Sequence, residues 1–444
     1  MRNIREIAFK ALKEVLISKR YSNIVANEYS KNLESRDKTF FREIFYGSLE
    51  NLYYYEWLLS KFSKIKLNKI ELDNKFIILI TIYQILEMDK TPDFAAIDEA
   101  VKLVGKYSNS GAKKFANGVL RNIARNKNRL PKIDKNDYEK YLSIRYSYPL
   151  WLIKLWVNDY GIEFTEEICI ANNRKHYMNI RVNKFKSDID KVKTKLKEYD
   201  YEFYESDYLD YSFKIKNPSG ILEKDIYERG YIDIQDITST IAVEVLDPKS
   251  HERVLDICAA PGGKTALIGD KMENKGLISA RDIKDRKISL IDKKLNRLGI
   301  TIAELSKKDA SIYREEDFES WDKVLLDAPC SALGLIKNKP EIKYFKSEKD
   351  LEELVKLQYK IIENASKYLR REGILVYSTC SINERENTKI IERFLKENKN
   401  FKLVDFSKKF RNTNIYEESK SGILQFFPNI HGINGFFITK LQKS

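Results

Sequence analysis

A chain of 444 residues is too long for one ordinary core, so two or three domains are expected. Hydrophobic residues at 43% and aromatics at 12% exclude general disorder. The formal net charge of +14, from 80 Lys+Arg against 66 Asp+Glu, favours a polyanionic partner, nucleic acid before membrane, because basic side chains displace counterions around phosphates.

From Met1 to Arg20, Ile4, Ile7, Ala8, Ala11, Leu12 and Val15 recur at helical spacing among charges, which predicts an amphipathic helix and not a signal peptide. Helical spacing continues through Phe41, Ile44, Phe45, Leu49, Leu52 and Leu58. The run from Phe76 to Met88 is apolar nearly all round, as in a central buried helix, and is too short to span a bilayer. A soluble, cytoplasmic protein with reduced thiols is expected. Residues 1–130 hold 24 basic against 15 acidic residues, and the excess concentrates from Val101 to Leu130, where eight basic residues meet no acid. A solvated helix face competes with a polyanion-binding module here; the local loss of acids favours the module. Lys113, Lys114, Asn117, Arg121 and Arg125 are its candidate RNA contacts.

A polar stretch near Pro131 to Asp137 reads as a linker. Residues from about 140 to 245 mix helical patterns with strands at Tyr177–Val182 and Tyr231–Ile234. From about 250, strands at Val254-Leu255, Gly276–Ala280, Ile302–Leu305, Lys323–Leu326 and Gly373–Tyr377 alternate with helices. One of these carries Ile288, Ile291, Leu295 and Leu298. That alternation predicts a doubly wound parallel sheet.

The first of these strands runs into Cys258-Ala259-Ala260-Pro261-Gly262-Gly263-Lys264, a small-residue turn at a helix start. Such a turn lets the backbone approach a ligand closely. Asp282 follows Gly263 by 19 residues, where a nucleoside-binding fold puts the carboxylate that accepts ribose hydroxyls. Together they point to an adenosine-bearing cofactor. A phosphate-binding P-loop would need glycine at position 258, where Cys258 stands, and Asp256 and Asp282 would repel phosphates. Cys258 reads as a small lining residue.

Two peptides follow later strands: Asp327-Ala328-Pro329-Cys330-Ser331 and Ser378-Thr379-Cys380-Ser381. Residues just past the carboxyl ends of strands line the ligand crevice of an open sheet. Two thiols and a carboxylate suit covalent chemistry on a pyrimidine, where thiolate addition to carbon 6 makes carbon 5 nucleophilic. Lys264, or a helix start after Asn383, could favour the thiolate. Cys169, on an apolar helical stretch, reads as a packing residue, and scattered histidines and cysteines give no metal site.

These motifs resemble the Sun/Fmu group of RNA 5-methylcytosine methyltransferases. The resemblance includes Phe115-Ala116-Asn117-Gly118, Arg181-Val182-Asn183, Gln235-Asp236, Leu246-Asp247-Pro248 and Gly435-Phe436-Phe437. It implies an all-α NusB-like RNA-binding domain (1–130) and a linker with a small α+β RNA-binding domain (131–235). An α/β Rossmann-like, S-adenosylmethionine-dependent methyltransferase domain (236–444) completes the chain. It further implies Cys380 as nucleophile, Cys330 in product release, and cofactor contacts from Cys258 to Lys264, Asp282, Asp309 and Asp327. Asp327 would also support the base. The implied substrate is one cytosine of small-subunit ribosomal RNA, free or in an assembly intermediate, acted on by a monomer. Transfer RNA, or a non-catalytic role in RNA assembly, are the alternatives. Lys284, Leu333 and Lys337-Asn338-Lys339 depart from the group's pattern.

Overall fold

A computed structural model describes residues 3–174, 177–411 and 413–444. Met1 and Arg2 of the expected first helix lie outside them. The chain forms two compact units, Met1–Arg174 with Ile336–Glu348, and Lys175–Leu335 with Lys349–Ser444.

The first unit is helical. The amphipathic stretch near the start forms a helix over Ile4–Ser18, capped by Asn3, whose side chain accepts from the Glu6 amide, and buries Ala8, Phe9, Leu12 and Val15. The all-round apolar run forms the helix Leu72–Glu87. Its one intruding amide, Gln84, is fully buried and satisfied, accepting from Arg5 Nε at 2.7 Å and donating to Ile80 O at 2.9 Å. Three further helices, Tyr138–Arg145, Leu150–Tyr160 and Ile162–Asn172, belong to the same unit, and Cys169 is buried in the last.

A segment remote in sequence completes this unit. Ile336–Glu348, beginning six residues after Cys330, packs among the helices. Glu341 accepts from Ser22 N (3.0 Å) and Ser22 Oγ (2.7 Å). The buried Lys343 ammonium donates to Glu50 O (2.9 Å) and Ser147 O (3.0 Å), closing backbone acceptors at two helix ends.

The second unit contains two sheets. The smaller is antiparallel with order β2-β3-β1-β4, formed by β1 (Met178–Val182), β2 (Phe203–Glu205), β3 (Ser212–Ile215) and β4 (Ile232–Ile234). On β1, Ile180 and Val182 enter the apolar core. Arg181 between them is turned the other way by strand alternation and is 1% exposed. Its guanidinium donates to Gln235 Oε1 (2.9 Å) and Asp270 Oδ2 (3.1 Å), so the charge is buried only because it is paired.

The larger sheet contains β5 (Arg253–Asp256), β6 (Leu277–Asp282), β7 (Ala303–Lys307), β8 (Trp321–Asp327), β9 (Leu369–Thr379), β10 (Phe401–Leu403), β11 (Ile423–Phe426) and β12 (Phe436–Lys443). Its order is β10-β12-β9-β8-β5-β6-β7, with β11 also on β12. The pairs from β7 through β9 are parallel, and β12 is antiparallel. The parallel strands are covered on both faces and read as continuous apolar runs: Val324, Leu325, Leu326, Leu375, Val376 and Tyr377 are fully buried. Strand β9 is longer than the sequence suggests. Trp321 pairs with Leu369 and Lys323 with Ile374, so residues 370–373 bulge out, with Glu372 in the left-handed region (φ 63°).

Candidate active site

Sheet register builds the site. On the parallel pair β8–β9, Asp327 lies opposite Ser378, and both strands end there or one residue later. The next turns therefore emerge side by side, carrying Cys330 and Cys380. Their sulfurs are 3.1 Å apart. The Ala328 amide donates to Ser378 O (2.8 Å) and the Gly334 amide to Cys380 O (3.0 Å), extending the pairing past the strand ends. Gly334 is required at that point: a Cβ there would fall 1.9 Å from Gly435 O, in the Gly435-Phe436-Phe437 peptide that leads into β12.

Asp327 is held from both sides. Its Oδ2 meets Lys264 Nζ at 2.6 Å, and its Oδ1 accepts the Ser378 hydroxyl at 2.9 Å. Lys264 also reaches Ser239 Oγ (3.1 Å) and stands over the Phe436 ring. Burial, the largest single effect, pushes the Lys264 ammonium toward its neutral form, but the charge and hydrogen bond of Asp327 together with the Asp256 charge outweigh it and raise its pKa. Cys330 is held firmly protonated, first by its hydrogen bond to Cys380, then by burial and the nearby Glu386 and Asp327 charges. The stretch after Asn383 does not start an α-helix. It is one 3₁₀ turn, Glu384–Glu386, with the α-helix beginning at Thr388. That turn carries two carboxylates, which do not favour a neighbouring thiolate.

The small-residue loop joins β5 to the helix Gly263–Lys271. Gly262 has φ +95°, and a Cβ there would meet the backbone of Ile291 at 3.1 Å, so only glycine lets the loop pass the neighbouring helix. Asp282, at the end of β6, accepts from Ala260 N (3.2 Å) and Ile283 N (2.7 Å) and pairs with Lys287 (2.9 Å). Asp309 Oδ1 accepts from both Ser311 N and Ser311 Oγ at 2.8 Å. Asp256 is fully buried. Burial raises its pKa to about 7, its Oδ2 accepts from Thr265 (2.7 Å), and its Oδ1 has no partner among the described residues. Cys258 lies on this loop, and burial, then the Asp282, Asp256 and Asp327 charges, push its thiol up. That environment suits a lining residue and not a nucleophile.

The loop thus has the Asp282, Asp256 and Asp327 charges around it, with Lys264 paired to Asp327 and Lys287 paired to Asp282. Such a set fits a ribose and a cationic sulfonium better than a triphosphate.

The candidate RNA contacts lie elsewhere, in the helical unit. Lys113, Lys114, Asn117, Arg121 and Arg125 share the helix Ser110–Arg125. Lys113, Lys114 and Asn117 line a hollow of about 420 Å³ with Asp98, Val101 and Lys102 of the preceding helix. Packing brings back the acids that this stretch of sequence lacks. Glu99 pairs with Lys102 (2.6 Å), Asp93 with Lys127 (2.8 Å), and Asp98 approaches Arg121 (3.8 Å). Lys113 and Lys114 make no ion pair among the described residues.

The site also contains residues that sequence reading did not single out: Ser378, Gln358 and Glu386. Ser378 was visible as part of its motif. Glu386 is one of two glutamates in a polar loop, and Gln358 sits in a long charged helix, so neither had a local signal.

Residues 243–442 match the model of the 16S rRNA methyltransferase RsmB/F family. Residues 2–125 match the NusB family, and residues 148–221 the ferredoxin-like domain of RsmF/B-like methyltransferases. The chain is 33% identical over 448 residues to the probable ribosomal RNA small subunit methyltransferase B of Bacillus subtilis, covering 99% of each. It is similar to the crystal structure of PH0851, with 27% identity and a TM-score of 0.85 over 100% of this chain and 99% of that one. The structure of NSun6 from Pyrococcus horikoshii with SFG shares the fold, at 24% identity and a TM-score of 0.56 over 65% of this chain and 97% of that one. The helical, α+β and Rossmann-like parts expected from the sequence are therefore NusB-like, ferredoxin-like and methyltransferase folds. The chain belongs to the ribosomal RNA small subunit methyltransferase B family.

Proposed function

We propose that the protein methylates carbon 5 of one cytosine in small-subunit ribosomal RNA through a covalent adduct on Cys380. The observation that carries this reading is the thiol pair, 3.1 Å apart, beside a Lys264–Asp327 ion pair. Cys380, in the Ser378-Thr379-Cys380-Ser381 peptide at the end of β9, is the nucleophile, and Cys330, whose sulfur lies 3.1 Å away, is the thiol that serves release.

The Cys380 sulfur adds to carbon 6 of the flipped base, and electrons from the 5,6 double bond move through the ring to nitrogen 3. Asp327 supports nitrogen 3, and Lys264 at 2.6 Å is its proton store. When bound, S-adenosylmethionine supplies the electrophilic methyl group for carbon 5. Its recognition falls to the Cys258–Lys264 loop, Asp282, Asp309 and Asp327; SFG, named with the NSun6 structure, is an analogue of this cofactor. Release then requires transfer of the carbon-5 proton to a base such as water; the electrons of that bond re-form the 5,6 double bond as the carbon–sulfur pair returns to Cys380. Cys330 assists that step. Lys113, Lys114, Asn117, Arg121 and Arg125 hold RNA phosphates and position the substrate, with no base readout.

The test is Cys380→Ala assayed on ribosomal RNA from cells lacking the protein, with the modified base read by bisulfite sequencing. Methylation by the wild type and none by the variant is expected. A variant that still methylates overturns the assignment, and a methylated cytosine found only in transfer RNA overturns the substrate.

A further inference from the structure

Behind the two thiols lies a carboxylate that touches neither sulfur and yet holds both turns. Glu386 is fully buried. Its Oε1 accepts from the Ser331 amide (2.7 Å) and from Gln358 Nε2 (3.0 Å). Its Oε2 accepts from the hydroxyls of Ser331 and Ser381, the latter at 2.7 Å, and from Asn383 Nδ2 at 3.4 Å. The two hydroxyls are themselves 3.0 Å apart. Ser331 follows Cys330 and Ser381 follows Cys380, so one side chain ties together the residue after each thiol.

The rest of Glu386 is equally fixed. Its carbonyl accepts from Tyr377 OH (2.7 Å), and Gln358 also donates to Pro329 O (2.9 Å) on the other flank of Cys330. Asn387 donates to Ser381 O at 3.0 Å. A carboxylate withdrawn from water costs several kcal/mol unless its oxygens are filled by donors. Here donors from two strand ends and a helix fill them. The arrangement is more than packing needs: the strands are already paired up to Asp327 and Ser378, and apolar residues could fill the space behind the turns. What sheet pairing alone does not set is the separation of two sulfurs beyond its edge.

We propose that Glu386 is a positioning residue for the methyl-transfer reaction, clamping Ser331 and Ser381 so that Cys330 and Cys380 share one face of the base. This rests on the thiol assignments under "Proposed function". The clamp predicts a division between its two arms. The Ser381 tether orients the nucleophile and governs adduct formation, whereas the Ser331 tether orients Cys330 and governs release. Glutamine can replace the carboxylate with little loss. Its carbonyl can face the Ser331 amide and Gln358, and its NH₂ can donate to hydroxyl oxygens able to accept.

The experiment uses the full-length protein, S-adenosylmethionine and ribosomal RNA from cells lacking it. Steady-state kinetics and denaturing-gel capture of the covalent complex are read together, with 5-fluorocytosine-substituted RNA as the trap. Glu386→Ala should lower kcat at least tenfold while KM for S-adenosylmethionine stays within twofold, and Glu386→Gln should recover most of the loss. Ser381→Ala should slow adduct formation, and Ser331→Ala should lengthen adduct life on unsubstituted RNA; these two also decide the matter if Glu386→Ala does not fold. A folded Glu386→Ala with kcat within twofold of wild type overturns the clamp. So do serine variants that leave both steps at wild-type rates. Wild-type protein that traps no 5-fluorocytosine RNA overturns the thiol assignments and the clamp with them, whereas trapping by wild type with unaffected variants overturns the clamp alone.

Discussion

Asp327 accepts the Ser378 hydroxyl at 2.9 Å across the last paired rung of two parallel strands. That rung converts a separation of 50 residues in sequence into 3.1 Å between two sulfurs. It also leaves the other Asp327 oxygen to Lys264, at 2.6 Å.

Cys330→Ala leaves the nucleophile in place and removes the group that assists its departure. The expected outcome is a covalent protein–RNA complex stable on denaturing gels, with turnover reduced at least tenfold. Absence of that complex, with turnover kept, would separate Cys330 from release.

Asp282→Asn should weaken S-adenosylmethionine binding. Hydrogen bonds to a charged acceptor contribute about 1.5–3 kcal/mol, or about 10–150-fold in affinity. Calorimetry with the cofactor alone checks this without RNA. The amide variant also loses its pair with Lys287 (2.9 Å), so Lys287→Ala is the matching control and should change affinity little.

Lys113, Lys114 and Arg125 are the cations of the basic helix that make no ion pair among the described residues, and the two lysines line the hollow. Replacing both by Ala should weaken RNA binding and reduce the slope of log K against log salt by about 1.4–1.8, given about 0.7–0.9 per phosphate contact. Arg121, drawn toward Asp98 at 3.8 Å, should contribute less than either lysine. Filter binding at several salt concentrations measures both.

Lys343→Met should destabilise the helical unit. Burial pushes the Lys343 amine down to about 8, yet its ammonium closes Glu50 O and Ser147 O, which methionine cannot do. Two buried acceptors left open cost about 1–3 kcal/mol each, partly offset because methionine carries no ammonium to desolvate in the core. Urea unfolding and limited proteolysis of residues 336–348 report the change. A variant as stable and as protease-resistant as wild type would mean that the segment is held by other contacts.

Glu6 carries a pH signature. Hydrogen bonds first from Lys106, then from Tyr107 and Lys10, hold its carboxyl down to about 2. A depressed carboxylate contributes stability that is complete above its ordinary range near 4.5 and is lost as pH falls toward 2. Lys106 and Lys10 are 59% and 48% exposed, so solvent screening limits the contribution to about 1 kcal/mol. Glu6→Gln should lower stability in the neutral range by about 1 kcal/mol, flatten the profile between about 4.5 and 2, and converge on wild type at the acid end. Unfolding followed by circular dichroism across pH measures it.

The amino-acid sequence by itself determined the elements whose signals are local. Apolar runs ending in Asp327 and Ser378 marked two strand ends, the all-round apolar run marked the buried helix Leu72–Glu87, and Ile291, Leu295 and Leu298 marked the face that their helix buries. These follow from side-chain periodicity and from what a buried strand must exclude, which any short window of sequence contains. Only the tertiary structure decided the rest. Glu384 and Glu386 are the same residue type two positions apart, yet only Glu386 lies behind the thiols, because the 3₁₀ turn points one inward. Residues 336–348 contain one helix of four residues and no apolar periodicity, so nothing local assigns them to the helical unit; contacts with Ser22, Glu50 and Ser147, and packing of Tyr344 and Phe345 on the helical core, do. Asp93, Asp98 and Glu99 temper a helix that looks purely basic, since charge acts through space and not along the chain. Periodicity is a property of neighbours in sequence. Partnership between distant residues exists only once the backbone has closed.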